Sequence, residues 1–299
     1  MLGAFCAVSL RTLLLTSYQT VSETEKDFLG NPLKVDVPYI QDWFGPEAAA
    51  FLINWSVPLS VLVAVVVMGL VGIAMERGLI RFFYKRPHAD QILVTFGLAI
   101  VLAEIVKHYY GANPVPQSAP DAFSGAANVG AWLGLGEGIY YPWWRLIYFC
   151  FSLVVIGLVF AFLNFTTFGM VVRAGMQDRE TVGLLGINIQ RRFTIVFGLG
   201  AAVAGIAGAM YTPVLPPDYN MGMDFLVLSF VVVVVGGMGS LGGAVLAGFL
   251  LGLVQSFAAM NAIKGIFPGI DQIIIYLVAI IVLLTLPRGL LGRRGVMED

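Results

Sequence analysis

Apolar residues in this chain come in long blocks, and the polar residues are gathered between them. The blocks cover residues 1–18, 48–74, 92–110, 142–166, 193–211, 225–235, 244–260 and about 271–286. A helix rises about 1.5 Å per residue, so about 20 apolar residues cross a hydrocarbon core of about 30 Å. Most of the blocks reach that length. The run 225–235 has eleven residues and cannot cross as a helix by itself. It must be a broken helix, a re-entrant piece, or a span completed through the glycines that follow. The pattern predicts an all-α integral membrane protein: a polytopic helical bundle of about eight membrane segments, one domain over 1–299. A broken or re-entrant helix is expected near Gly236–Gly243.

Composition agrees with this. The chain is 59% hydrophobic and 12% charged, about half the charged fraction of a soluble domain. Its net charge of −1 gives no support to nucleic acid as a partner. Cys6 and Cys150 sit in apolar blocks and read as free thiols, not a disulfide framework. Arg11 falls in the middle of the first block, where a signal peptide would not carry its positive charge. It reads as a snorkelling or paired residue on a membrane helix.

Charge sets the orientation. Arg77, Arg81, Lys85, Arg86, Arg173, Arg179, Arg191, Arg192, Arg288, Arg293 and Arg294 fall on one side of the alternation. Lys26, Lys34 and Lys264 fall on the other. The positive-inside rule places the first set, and both termini, in the cytoplasm. The opposite face then carries residues 20–47, with a short surface helix near Trp43, and the Gly- and Pro-rich stretch 112–141. Trp143 and Trp144 suit an interfacial belt, and Asp271 suits the cap of the last helix.

Small residues recur at four-residue spacing. Ser240, Ala244, Gly248, Gly252 and Ser256 form one strip, and Ala201, Gly205 and Ala209 another. Such strips permit close helix approach, as static packing or as faces that slide. The glycine-rich run Gly236, Gly237, Gly239, Ser240, Gly242, Gly243 is a second kind of signal. Backbone that breaks at membrane depth must be buried in protein or line a cavity, and in transporters such breaks mark substrate sites or hinges. These six residues are candidates for a pathway or hinge; the alternative is a crossing point without substrate contact.

No catalytic constellation is present. His88 and His108 have no metal-ligand spacing with Cys or carboxylates, so no metal site is expected. No Gly-x-x-x-x-Gly-Lys-Ser/Thr phosphate loop occurs. If ATP is used, another chain must bind it. Glu104, Lys107 and His108 share one helical face. They read as an ion pair near the membrane surface or as a polar lining to a pathway.

One polar interval, about 168–192, carries both signs of charge between membrane-length blocks. It reads as a loop on one face, large enough for a short helix and able to receive force from a soluble partner. Asp178 and Glu180 suit the first turn of that helix. Leu184 and Leu185 offer apolar contact, and Gly186 can end the helix in the left-handed conformation.

RAGMQDRETVGLLGINIQRRF, then GLGAAVAGIAGAMY and FVVVVVGGMGSLGGAVLAGFLLGLVQ, closely resemble bacterial branched-chain amino acid ABC transporter permeases of the LivH type. ERGLIRFFYKRPHADQILVTFGLAIVLAE and LPRGLLGRRG do so as well. The resemblance covers nearly the whole chain. It implies a multi-pass subunit of the bacterial inner membrane, not an enzyme, paired with a second permease of the LivM type. It also implies two cytoplasmic ATPase subunits that bind ATP and Mg, and a periplasmic substrate-binding protein. It implies a coupling helix seated on the ATPase at Asp178, Glu180, Gly183, Leu184, Leu185, Gly186 and Ile187. Family members carry a further N-terminal helix ending in Asn-Phe-Ala-His-Gly, just upstream of a segment like MLGAFCAVSL, with which this sequence starts. The expected function is ATP-driven import of branched-chain or related hydrophobic amino acids; related permeases carry urea, amides or aromatic acids. The rival is an ATP-independent secondary transporter or channel for a small solute, which would need an ion relay such as Glu104, Lys107 and His108 and an internal repeat.

Overall fold

In the computed structural model several helices pack closely where they carry their smallest side chains. The structure describes residues 1–26, 32–84, 86–120, 123–132, 134, 136, 138, 140–177, 179–237, 239–265, 267–286 and 288–292. They divide into two units, Met1–Met221 and Gly222–Asp299.

In the first unit, α1 (Leu2–Leu15) leads into a hairpin of β1 (Ser17–Lys26) and β2 (Pro32–Pro38). Then come α2 (Tyr39–Phe44), α3 (Pro46–Asn54), α4 (Ser56–Gly78), a 3₁₀ turn over Ile80–Phe83 and α5 (His88–Tyr110). A three-residue hairpin of β3 (Ala126–Asn128) and β4 (Tyr140–Pro142) encloses the single turn α6 (Val129–Trp132). The long α7 (Trp143–Phe165) follows, then α8 (Thr167–Gln177), α9 (Arg179–Leu184) and α10 (Ile189–Tyr211).

Helices α4 and α10 run antiparallel and α1 packs on both. The strip Ala201, Gly205, Ala209 makes this contact. A Cβ on Gly72 would meet that of Ala201 at 2.5 Å, and one on Gly205 would meet Met68 at 2.8 Å. Ala209 closes a buried cluster with Ala7 and Ala64. Side chains this small let backbones approach and gain dispersion contacts. Beside Tyr211, the Trp144 indole donates to the Met210 carbonyl at 3.2 Å. Trp144 is therefore buried with Val57 and Met210, while Trp143 stays exposed as a belt residue would.

The second unit holds α11 (Met221–Gly236, whose first residue closes the first unit), α12 (Leu241–Ala258), α13 (Asn261–Lys264) and α14 (Ile270–Thr285). Its core is Val235, Ala247, Leu251, Ile275 and Ala279. Of the strip starting at Ser240, a Cβ on Gly248 would lie 3.8 Å from Val232, whereas one on Gly252 would meet no neighbour within 4 Å. The buried face of α12 lies along Gly243, Ala247, Leu251 and Ala258 instead.

Among the described residues five helices, α4, α5, α7, α10 and α12, are long and apolar enough to cross a membrane; α1, α11 and α14 are apolar but shorter. They correspond to the eight apolar blocks, and the fold is a polytopic helical membrane protein. Several boundaries differ from the sequence expectation. The block 48–74 is split at Trp55, because Pro58 has no N–H to continue the α3 ladder. The run 225–235 is part of a 16-residue helix, because Asp218 accepts from the Met221 N–H at 2.6 Å and starts α11 earlier. Asp271 does not cap α14; it pairs with Lys264 at 2.8 Å, and Gly269 occupies the cap position in the left-handed conformation. Residues 17–38 form an antiparallel hairpin with Tyr18 opposite Val37 and Thr20 opposite Val35. The short helix near Trp43 is α2. It is held to the hairpin by Tyr18, whose hydroxyl donates to Asp42 Oδ1 at 3.2 Å.

Candidate functional site

The polar interval is more helical than a loop. After α7, Thr166 turns extended, and its hydroxyl accepts from the Gly169 N–H at 3.2 Å to start α8. Arg173 folds back along α8, donating to the Leu163 carbonyl at 2.5 Å and Asn164 Oδ1 at 2.8 Å. A cation thus satisfies acceptors at the end of α7, where helix carbonyls lack partners.

Asp178 lies outside the described residues, and the backbone of Glu180 falls in the first turn of α9. In α9 Val182 is buried at 6% exposure, while Leu184 at its end and Leu185 just after it are 88% and 73% exposed. Gly183 faces open space. Gly186 donates its N–H to the Gly183 carbonyl at 3.0 Å and takes φ +77°, the left-handed helix end expected of it. Ile187 and Asn188 then lead into α10, where Asn188 Oδ1 accepts from the Arg191 N–H at 3.1 Å. The result is a short protruding helix whose outward tip is two leucines.

Two links tie this protrusion to the helix core. Arg81, in the 3₁₀ turn, donates to the Gln190 side chain in the first turn of α10. One turn further on, the Thr194 hydroxyl donates to Glu76 Oε2 at 2.7 Å, and Tyr84 donates to Oε1 of the same carboxylate at 3.1 Å. Glu76 is fully buried. It escaped the sequence reading because it stands beside Arg77 in what looks like a solvated flank. Its position at the end of an apolar block was the available signal.

The glycine run has a different character. A Cβ on Gly236 would lie 2.5 Å from the Ala244 backbone nitrogen, and one on Gly243 would lie 2.0 Å from the Gly236 carbonyl oxygen. Gly237, at φ +98°, meets the backbone of Gly292. Ser240 Oγ accepts from the Gly243 N–H at 3.0 Å and caps α12. The carbonyls of Val235 and Gly236 accept from Leu290 and Leu291 at 2.8 and 3.1 Å. Gly239 takes φ +84° in open space, and Gly242 has only Leu291 near it, at 3.9 Å. The break is thus a close crossing of backbones in which the chain after α14 supplies hydrogen bonds to the end of α11.

Glu104 and Lys107 form an exposed ion pair at 3.2 Å, and Lys107 also lies over the Tyr219 ring. His108 stands edge-on to Tyr109 and is not part of that pair. Among the described residues no group of three His, Cys, Asp or Glu could hold a metal ion. Arg11 does not snorkel as the sequence suggested, and among the described residues it makes no ion pair. Its side chain is 4% exposed, and Nε and Nη1 are buried without a hydrogen-bond partner.

Residues 1–283 match the family described as branched-chain amino acid transport system / permease component. LivH, the high-affinity branched-chain amino acid transport system permease protein of Escherichia coli K12, is 27% identical over 235 residues, covering 77% of this chain and 72% of that protein. BraD, its counterpart by name in Pseudomonas aeruginosa, is 28% identical over 253 residues, covering 80% and 76%. A probable LivH of Methanocaldococcus jannaschii is 27% identical over 148 residues, covering 48% and 46%. No solved structure gives a significant match.

Proposed function

Because this chain belongs to the permease family of branched-chain amino acid transport systems, we propose that it is the inner-membrane permease subunit of an ATP-driven importer for branched-chain amino acids. It forms the translocation pathway with a second permease. Two cytoplasmic ATPase subunits bind ATP and Mg, and a periplasmic protein delivers the substrate. In this reading both termini and α9 face the cytoplasm, which the Lys and Arg distribution supports.

The observation that carries this reading is α9. Leu184 and Leu185 have no use within the chain at their exposure, and an apolar tip on a polar loop suits a groove on a soluble partner. Force on that tip reaches the core by a short route: Gly186, Asn188, then Gln190 and Thr194 on α10, bonded to Arg81 and Glu76. When the ATPase pair closes on ATP, α9 moves with it, and α10 and α4 move as one body. The close crossing at Gly236–Gly243 serves as the hinge of α11 and α12. Switching between two discrete packings then gives alternating access.

The test is purification with the neighbouring subunits co-expressed. An ATPase pair and a second permease should accompany the wild-type chain. Gly186→Arg should release the ATPases but leave the permease pair intact. Hydrolysis by the full assembly should be stimulated by the binding protein loaded with leucine, isoleucine or valine. A chain that purifies alone and carries solute in liposomes without ATP would sink the proposal.

A further inference from the structure

We propose that α2 and α3 form an anchor lying in the interface of the bilayer, with the boundary between lipid headgroups and chains as its partner. The two helices stand between the hairpin and the start of α4. They carry Tyr39, Trp43, Phe44 and Phe51, and Trp55 joins them to α4. All five rings are more than half exposed, and Trp43 is 84% exposed.

The chain itself gives these rings little cover. Helix α2 buries no residue, and α3 buries only Ala49. The hairpin holds α2 through Tyr18, whose ring meets that of Tyr39 at 4.9 Å and whose hydroxyl donates to Asp42. That grip leaves Trp43 and Phe44 open. Phe51 and Trp55 stack on each other at 5.7 Å and stay exposed as a pair. Contiguous exposed apolar surface of this kind marks a contact with protein or with lipid.

Level, length and chemistry point to lipid. Val57, Trp144 and Met210 form one buried cluster, so the start of α4, the start of α7 and the end of α10 meet at one level. All three helices are long and apolar enough to span, and this level is one end of the spans. Trp55 stands two residues before Val57, so the aromatic patch begins where the hydrocarbon core ends. The exposed Trp143 lies at the start of α7, at that same end.

Helices α2 and α3 have six and nine residues and are separated by Gly45 at φ +82°. They rise only about 9 and 14 Å, too little to cross the core. Short helices with large apolar side chains can lie in the plane of the interface instead. Trp and Tyr rings join an apolar body to a polar edge, which suits that boundary. Residues 39–55 contain no Lys or Arg, so ring area makes the contact and anionic headgroups add no attraction. The anchor rests on the membrane fold and not on the importer reading. It would fix the polar hairpin strand Ser17–Lys26 at the membrane surface beside α4.

The experiment is spin labelling of the assembled importer in nanodiscs of phosphatidylethanolamine and phosphatidylglycerol, with its native thiols, Cys6 and Cys150 included, replaced. Single label sites are made by Trp43→Cys, Phe44→Cys, Phe51→Cys and, on the hairpin, Thr20→Cys. The first three labels should sit about 5–10 Å into the boundary, where oxygen relaxes them about threefold more than a water-soluble nickel complex does. The label at residue 20 should show the reverse. Trp43→Ser and Phe44→Ser should leave affinity for the leucine-loaded binding protein within twofold of wild type. Labels at 43, 44 and 51 that respond to nickel as strongly as the label at 20 overturn the proposal. Labels shielded from both relaxants overturn it too, and give the patch to a neighbouring subunit. A larger loss of binding-protein affinity makes the patch a protein-docking site and overturns it as well. If the assembly takes up no leucine but the three labels stay in lipid, the importer reading ends and the anchor stands.

Discussion

The hydroxyl of Thr194 on α10 donates to Oε2 of Glu76 on α4 at 2.7 Å, joining residues 118 positions apart in the chain. Glu76 is fully buried, and its other oxygen accepts from Tyr84 at 3.1 Å. A hydrogen bond contributes about 0.5–1.5 kcal/mol net, and about 1–3 kcal/mol is lost when one partner is left buried and unsatisfied. Thr194→Val should therefore destabilise the chain by about 2 kcal/mol. Glu76→Ala should cost more, and the double variant less than the sum of the two. Thermal unfolding of the four proteins in detergent measures the coupling. Additive effects would show that the pair does not hold α4 to α10.

Leu184→Glu and Leu185→Glu alter side chains that touch little in the chain. Each should change stability by no more than about 0.5 kcal/mol, as for surface sites generally. In the assembled importer each should reduce ATPase retention at least tenfold. Co-purification in detergent reads the loss, and equal retention would remove α9 as the docking element.

At Gly186 the backbone sits at φ +77° with open space around it. A side chain there meets no neighbour and only pays the left-handed conformational penalty. Gly186→Ala should cost about 1–2 kcal/mol locally, and Gly186→Asn less. Amide hydrogen exchange over residues 179–188 should rise for Ala and rise less for Asn.

Gly236 and Gly252 should behave oppositely. A Cβ on Gly236 would lie 2.5 Å from the Ala244 nitrogen, whereas one on Gly252 meets nothing within 4 Å. Gly236→Ala should destabilise by about 1–3 kcal/mol through overpacking. Gly252→Ala should be neutral or stabilising by up to about 1 kcal/mol through helix propensity. Thermal unfolding of the two single variants decides it.

The Glu104–Lys107 pair is exposed and follows i,i+3 spacing. Such pairs contribute about 0–1 kcal/mol and weaken with salt. Glu104→Gln should lower stability by less than about 1 kcal/mol and leave solute uptake within twofold of wild type. A large loss of uptake would restore these residues as a polar pathway.

Much of this was legible in order along the chain. The apolar blocks located the helices, because burying backbone in lipid leaves a chain few choices besides a helix. The left-handed end at Gly186 was legible because a glycine after two leucines is a local signal. Boundaries were less so. Pro58 splits one block by lacking an N–H and Asp218 lengthens another by accepting one, and a hydropathy pattern registers neither.

By itself, the sequence determined the class of protein, the number and order of its apolar helices, and the polar interval that carries α9. These follow from composition and from neighbours within a few residues. Tertiary structure alone decided which polar groups are sealed inside. In sequence Glu76 stands beside Arg77 at the end of an apolar block, and Arg11 stands alone within one. The fold gives Glu76 two hydroxyl donors and leaves two nitrogens of Arg11 without an acceptor. The physical reason is that burial and hydrogen bonding of a charge depend on what other helices bring to it, and those partners are distant in the chain.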